Sequence, residues 1–182
     1  MITLGLVFAF VTMSFTSVMA QTTYGDQWNN FLAGSPHYYG EGGHPKFGVQ
    51  WYYDHLTQVG SVITRTDGTD LYINIYLNEG GLEETHIAIA KTFTAIPQTK
   101  NGNPKVGLFP FKHENLNGLM MDEYVIPLAS LDVGVGDTVI IAVHAALSDG
   151  ETAWANCGGT GAFFPGNNWA TFYRYTIPAR PI

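Results

Sequence analysis

Residues 137–147, DTVIIAVHAAL, decide the fold, because this run is almost continuously apolar and rich in β-branched side chains. Such a composition favours a β-strand. Both of its alternating faces are apolar, which is typical of a central strand that is covered on each side. The Asp-Gly pair at 149–150 supplies the positive φ of a tight turn, so we expect a hairpin here.

The turn also predicts a register for this hairpin. If Asp149-Gly150 is a two-residue loop, Ala145 lies opposite Trp154 and His144 lies opposite Ala155. Trp154 is then predicted on a core face together with alternate residues of the first strand. These residues are Val139, Ile141, Val143 and Ala145.

Further strand signals lie on both sides of the hairpin. They cover residues 61–66, 69–77, 82–90, 121–128 and 168–177. A long loop is expected over 94–117, and no segment has helical periodicity. About eight strands joined by turns predict an all-β fold, namely an antiparallel β-sandwich of the jelly-roll-like or immunoglobulin-like kind.

A second tight turn is predicted at Asp67-Gly68. A two-residue loop there places Arg65 opposite Asp70 as an exposed cross-strand ion pair. The following strand alternates an apolar face with a more open one. The open face carries Tyr72, Asn74 and Tyr76.

The first 20 residues carry no charge and are largely apolar, and they end in Ser-Val-Met-Ala before polar Gln21. This pattern predicts a secretory signal cleaved after Ala20, with an uncleaved membrane anchor as the alternative. The remaining chain then divides into an aromatic and glycine-rich segment, 21–58, packed on a β-sandwich domain, 59–182. The segment is expected to be an irregular strap with one strand near 47–53, or a surface that offers rings to a partner.

Composition limits the partners. The chain has 8 basic and 15 acidic residues, a formal net charge of −7, with no cluster of Lys or Arg. We therefore expect no nucleic acid as a partner, and no membrane after signal cleavage. Cys157 is the only cysteine, so an internal disulfide is excluded.

Six aromatic residues are candidate ligand-binding side chains, because flat rings stack on sugars and amphipathic rings anchor protein partners. They are Trp28, Trp51, Tyr72, Tyr76, Tyr173 and Tyr175. The alternative that these rings fill the core stays open at this point.

Metal ligands are suggested only by short pairs. The candidates are Glu84, His86, His113 and Glu114. No spacing matches a zinc signature, so no cofactor is predicted. Calcium remains the alternative, with oxygen ligands from Asp67 and Asp70 or from the acidic loop 79–84.

No catalytic residue is assigned. His144 and Glu151 share a face of the predicted hairpin, but four residues of strand rise separate them by about 13 Å. The glycine-rich loop after Cys157 is not followed by a helix, as a phosphate-binding loop would be.

Four motifs carry a resemblance to a known group of proteins. They are LEETH at 82–86, FPFKHE at 109–114, ETAWA at 151–155 and NWATFYRY at 168–175. In these the chain resembles an uncharacterised secreted β-rich module of bacterial surface and exported proteins, over about residues 59–177. The resemblance implies an extracellular β-rich domain and no assigned activity.

Together these observations predict a secreted, non-enzymatic module for extracellular recognition or adhesion, with a glycan or protein ligand. One alternative is a structural or matrix subunit that self-associates. Another is an extracellular hydrolase that uses loop residues such as His113, Glu114 and Glu151. A row of exposed coplanar rings would favour glycan binding, an exposed apolar edge would favour assembly, and a cleft where a histidine and a carboxylate meet would favour hydrolysis.

Overall fold

The computed structural model describes residues 22–33, 57–156 and 162–180, and their fold is all-β, as predicted. The strands are β1 (Tyr24–Ala33), β2 (Thr57–Thr66), β3 (Asp70–Leu77), β4 (Leu82–Ala90), β5 (Phe111–Leu119), β6 (Met121–Pro127), β7 (Thr138–Leu147), β8 (Thr152–Asn156), β9 (Ala162–Phe163) and β10 (Thr171–Thr176). Short 3₁₀ turns cover Phe93–Ala95, Val106–Leu108 and Leu128–Leu131. Within the described ranges, no helix is long and apolar enough to cross a membrane.

One antiparallel sheet runs in the order β5-β4-β7-β8-β1-β2-β3-β6. Strand β10 pairs with β7 at residues 138–141, next to the stretch of β7 that pairs with β8, and β9 pairs with β10. The sheet curls so far that its two end strands meet, since Nδ1 of His113 on β5 lies 2.9 Å from Oδ1 of Asp122 on β6. The sheet is therefore nearly closed, and it has an inner and an outer side.

Among the described residues there are two hydrophobic cores, and the inner side of the sheet holds the larger one. The faces predicted for β3 and β7 are confirmed, because Leu71, Ile73, Ile75, Val139 and Ile141 are all buried there. Tyr173 and Tyr175 of β10, and Ile177 directly after it, complete this core.

A second core covers the outer side of β4 and β7. Ala88 and Ala142 form its floor, and Phe109, Phe164 and Phe172 pack above them. Strand β7 is thus central and covered on both sides, as its two apolar faces predicted.

The predicted register of the β7–β8 hairpin is wrong by one residue. His144 pairs with Trp154, and Leu147 donates its backbone N–H to Glu151 O at 2.9 Å. The loop therefore has three residues, 148–150, and ends on Gly150 at φ +87°. Such a loop is the next most common hairpin connection, and a shift of one residue turns every side chain to the other face. Trp154 consequently packs in the second core.

The predicted register of the β2–β3 hairpin is also wrong, but here the predicted faces are kept. Asp67 donates its N–H to Asp70 O at 3.3 Å, so the loop residues are Gly68 and Thr69 rather than Asp67 and Gly68. The register moves by two, which keeps the predicted faces. The predicted Arg65–Asp70 pair is wrong, because Arg65 lies opposite Tyr72.

Two other expectations differ from the structure. Residues 111–117 of the predicted long loop belong to strand β5, so His113 and Glu114 are strand residues. Residues 24–33 of the predicted strap form β1, which pairs with both β8 and β2. The expected signal, the strand near 47–53, and Cys157 lie outside the described residues.

Candidate functional site

The outward side of β1, β2, β3 and β6 forms a surface that we call the outer face. Its central row follows the cross-strand pairs Trp28–Ile63, Ile63–Asn74 and Asn74–Glu123. One flanking row pairs Tyr76 with Met121. The other runs from Arg65 through Tyr72 to Val125.

Exposed apolar side chains concentrate at this surface. The described residues include seven large hydrophobic side chains that are exposed, and five of them lie on the outer face or at the β5–β6 corner next to it. These five are Trp28, Leu119, Met120, Met121 and Val125. Trp28 is 64% exposed, so its indole ring is available to a partner. Isolated exposed hydrophobic residues are common, whereas a group of them marks an interaction surface.

Polar groups interrupt the apolar surface at its centre. The guanidinium of Arg65 lies 3.7 Å from the carboxylate of Glu123 and 5.9 Å from the ring centroid of Tyr72. The amide of Asn74 donates to the same Glu123 carboxylate. The Tyr72 hydroxyl donates to Oδ2 of Asp67 at 2.9 Å, and desolvation together with this hydrogen bond raises the pKa of Tyr72 to about 12.

The six predicted ligand-binding aromatics separate into three groups. Trp28, Tyr72 and Tyr76 lie together on the outer face, although Tyr72 is only 9% exposed. Tyr173 and Tyr175 are each 2% exposed, and both belong to the inner core. Trp51 lies outside the described residues.

The buried tyrosines use their hydroxyls internally. The Tyr173 hydroxyl lies 2.7 Å from Oγ1 of Thr64, and the Tyr175 hydroxyl donates to the Gly25 carbonyl at 2.9 Å. Burial is the main reason that the pKa of Tyr175 rises to about 12. In this structure both rings are core side chains, and neither offers a surface on which a sugar could stack.

A second polar cluster lies at the seam between β5 and β6, on the inner side. Its centre is the carboxylate of Asp122, which accepts the Thr85 hydroxyl at 2.5 Å and the Glu123 backbone N–H at 2.9 Å. Nδ1 of His113 lies 2.9 and 3.0 Å from its two oxygens. Tyr124 completes the cluster by donating its hydroxyl to the Thr85 carbonyl at 3.0 Å.

His113 connects this cluster to solvent. Its side chain is 44% exposed, whereas that of Asp122 is 9% exposed. The imidazole stacks on the ring of Tyr124, with centroids 4.2 Å apart and planes inclined by 8°. The ring also lines a cleft of about 320 Å³.

The four candidate metal ligands do not form one group. Glu84 and Glu114 form a cross-strand pair, and His86 follows on the same outward side of β4. Nε2 of His86 lies 3.8 Å from a carboxylate oxygen of Glu84. His113 belongs instead to the seam. The described part of the chain contains no group of three or more such side chains that could hold a metal ion.

Asp122 is the residue that the sequence reading missed. It has the same parity as Tyr124 and Ile126 in a strand that alternates exposed and buried positions. That alternation could have identified Asp122 as an inward carboxylate in need of partners.

Comparison with known proteins identifies no relative. No family model matches this chain, and neither the curated proteins nor the solved structures provide a match. The resemblance to a secreted β-rich module therefore stays a prediction.

Proposed function

We propose that the protein is a secreted recognition module that binds a protein partner through its outer face. The observation that carries this proposal is the gathering of exposed Trp28, Met121 and Val125 around the Arg65–Glu123 pair. Each of these residues lies on a strand that is hydrogen-bonded within the sheet, so the backbone fixes their relative positions.

The chemistry of the outer face favours a protein partner. Trp, Tyr, Arg and Met are enriched at protein interfaces, and Trp, Tyr and Arg dominate their energetic centres. The outer face carries all four of these residue types, represented by Trp28, Tyr76, Arg65 and Met121. The Arg65–Glu123 pair remains partly exposed, so it offers charge complementarity at the surface.

A glycan is the second candidate ligand. The exposed ring of Trp28 offers a stacking surface, and Arg65 and Glu123 offer a donor and an acceptor for sugar hydroxyls. The burial of Tyr72 argues against the row of exposed rings that an extended glycan would need. A single stacked sugar is the form of glycan binding that this surface supports.

Export is part of the proposal, and it rests on the uncharged apolar residues 1–20. The test is N-terminal sequencing of the chain recovered from the culture medium of its source. We expect a mature chain that begins at Gln21. Retention of the whole chain in the cell fraction would contradict export without bearing on the outer face.

Photo-crosslinking tests the partner. A photoreactive phenylalanine analogue replaces Trp28 or Val125 in the full chain, and the matched controls replace Leu108 or Val135, two exposed apolar residues away from the outer face. We expect the same partner protein to be crosslinked from positions 28 and 125 and not from the controls. A homodimer crosslinked from positions 28 and 125 would instead favour the self-associating subunit.

Affinity measurements then test the surface itself. Trp28→Ala and Val125→Asp should each weaken binding of the crosslinked protein by at least about tenfold, which is typical of a residue at the centre of an interface. Leu108→Ala and Val135→Asp should leave it unchanged. Equal effects at all four positions would refute the outer face as the binding surface, and binding of a simple sugar lost in Trp28→Ala would favour the glycan candidate.

A further inference from the structure

The seam cluster fixes the tautomer of His113. Its Nδ1 lies within 3.0 Å of both oxygens of Asp122, and a carboxylate accepts hydrogen bonds, so Nδ1 carries the proton. Nε2 of a neutral ring is then an acceptor with a free lone pair. Among the described residues, none hydrogen-bonds this nitrogen, which leaves it to a ligand or to water.

Asp122 is itself held in position from three sides. The Thr85 hydroxyl, the Glu123 backbone N–H and His113 all donate to it, and Thr85 is fully buried. Tyr124 braces the arrangement, since its ring stacks on His113 and its hydroxyl is bonded to Thr85. A histidine oriented by a buried carboxylate is the arrangement that enzymes use for general-base catalysis.

The cleft beside His113 limits the size and the charge of a ligand that could bind there. Its volume of about 320 Å³ suits a small molecule, and much of its lining is apolar, including Pro110, Phe111 and Val125. Lys112 is the one cation among the described residues that line the cleft, and its amine lies 2.9 Å from the Glu114 carboxylate. Glu123 adds a negative charge to the lining. An anionic substrate such as a phosphate ester would therefore find no free positive charge among these described lining residues.

We propose that this cleft is a catalytic site for the hydrolysis of small, uncharged carboxylic esters, with His113 as the general base. Nε2 takes a proton from water while the water oxygen forms a bond to the ester carbonyl carbon. The tetrahedral intermediate then breaks its bond to the alkoxy oxygen, and the imidazolium returns the proton to that oxygen. The products are a carboxylic acid and an alcohol, and no co-reactant other than water is consumed.

Only His113 touches the reacting atoms in this scheme. Asp122 is a positioning residue, because it sets the tautomer and the direction of the ring. Thr85 and Tyr124 act one step further away, by holding Asp122 and the imidazole. The cleft shares Val125 and Glu123 with the outer face, whereas His113 and Asp122 lie on the inner side of the sheet. Trp28→Ala changes only the outer face and His113→Gln changes only the seam cluster, so failure of either proposal is distinguished from failure of the other.

Hydrolysis of p-nitrophenyl acetate and butyrate by the full chain tests the proposal. General-base catalysis contributes at least about 100-fold to a rate. The reference is the hydrolysis rate given by N-acetylhistidine at the same concentration as the protein. We expect the unsubstituted chain to exceed this reference rate, and His113→Gln to lose nearly all of the excess. Asp122→Asn should lose most of it. The matched control Asp132→Asn, at an exposed aspartate, should keep the full rate. A rate in His113→Gln equal to that of the unsubstituted chain would overturn the proposal.

A second measurement keeps the test decisive if Asp122→Asn fails to fold. Nitrogen-15 NMR of the unsubstituted chain reports which ring nitrogen of His113 carries the proton. We expect the Nδ1–H form to dominate, and a folded Asp122→Asn chain to shift the population toward Nε2–H. A dominant Nε2–H form in the unsubstituted chain would exclude His113 as the base.

Discussion

His86 on β4 and His144 on β7 lie directly opposite each other on the outer side of the sheet, with ring centroids 5.7 Å apart. Nδ1 of each ring is buried and has no hydrogen-bond partner among the described residues. Burial lowers the pKa of His144 to about 3, with repulsion from His86 as a smaller cause. Burial also lowers the pKa of His86, and the nearby Glu84 carboxylate offsets this only in part.

This pair predicts acid sensitivity. The unfolded chain protonates His144 near pH 6.5, whereas the folded chain does so only near pH 3, so stability is complete above pH 6.5 and is lost as the pH falls toward 3. We expect the free energy of unfolding to fall by about 2 kcal/mol between pH 7 and pH 5 through His144 alone. Urea unfolding at pH 7, 6 and 5 measures it. His144→Leu should remove most of that slope, and an unchanged slope would contradict the assignment.

The hairpins show which parts of the fold follow from local sequence. Alternation predicts the strands and their faces, because it depends only on neighbouring residues in the chain. Loop length is not determined in this way, since Asp149-Gly150 fits both a two-residue and a three-residue connection. The extra residue moves Trp154 from one core to the other, while the two-residue shift at Gly68 leaves every face in place.

The candidate sites follow the same rule. Tyr72 and Tyr76 share a face because of strand parity, and parity can be read from the sequence. Trp28 joins them only because β1 pairs with β2, in a segment for which the sequence predicted an irregular strap. The contact between His113 and Asp122 depends instead on the curl that brings β5 against β6, which are nine residues apart at this contact. No local pattern encodes that curl. The sequence therefore identified His113 as a candidate site residue but did not identify Asp122 as its partner.

Close approach between β2 and β3 makes Gly60 sensitive to substitution. A Cβ atom at this position would lie 1.8 Å from the backbone carbonyl oxygen of Tyr76, which cannot move without breaking the sheet. We expect Gly60→Ala to lower the free energy of unfolding by at least about 3 kcal/mol, in the range of severe overpacking. The matched Gly107→Ala meets no atom within 4 Å and should change it by less than about 0.5 kcal/mol. Chemical denaturation measures the free energy of unfolding of both variants. Equal values would contradict the close approach of Gly60 to the Tyr76 carbonyl.

Two tryptophans test the division between core and binding surface. Trp154 is 5% exposed, and its ring meets His144 at a centroid distance of 4.8 Å. We therefore expect Trp154→Ala to cost about 3–5 kcal/mol of unfolding free energy, because it empties a large volume in the second core. Trp28→Ala removes a ring that is mostly in solvent, so its cost should be below about 1 kcal/mol. Thermal and urea unfolding of the two variants measure this contrast. A large loss in Trp28→Ala would show that the ring supports the fold, and its effect on binding would then no longer identify a contact with the partner.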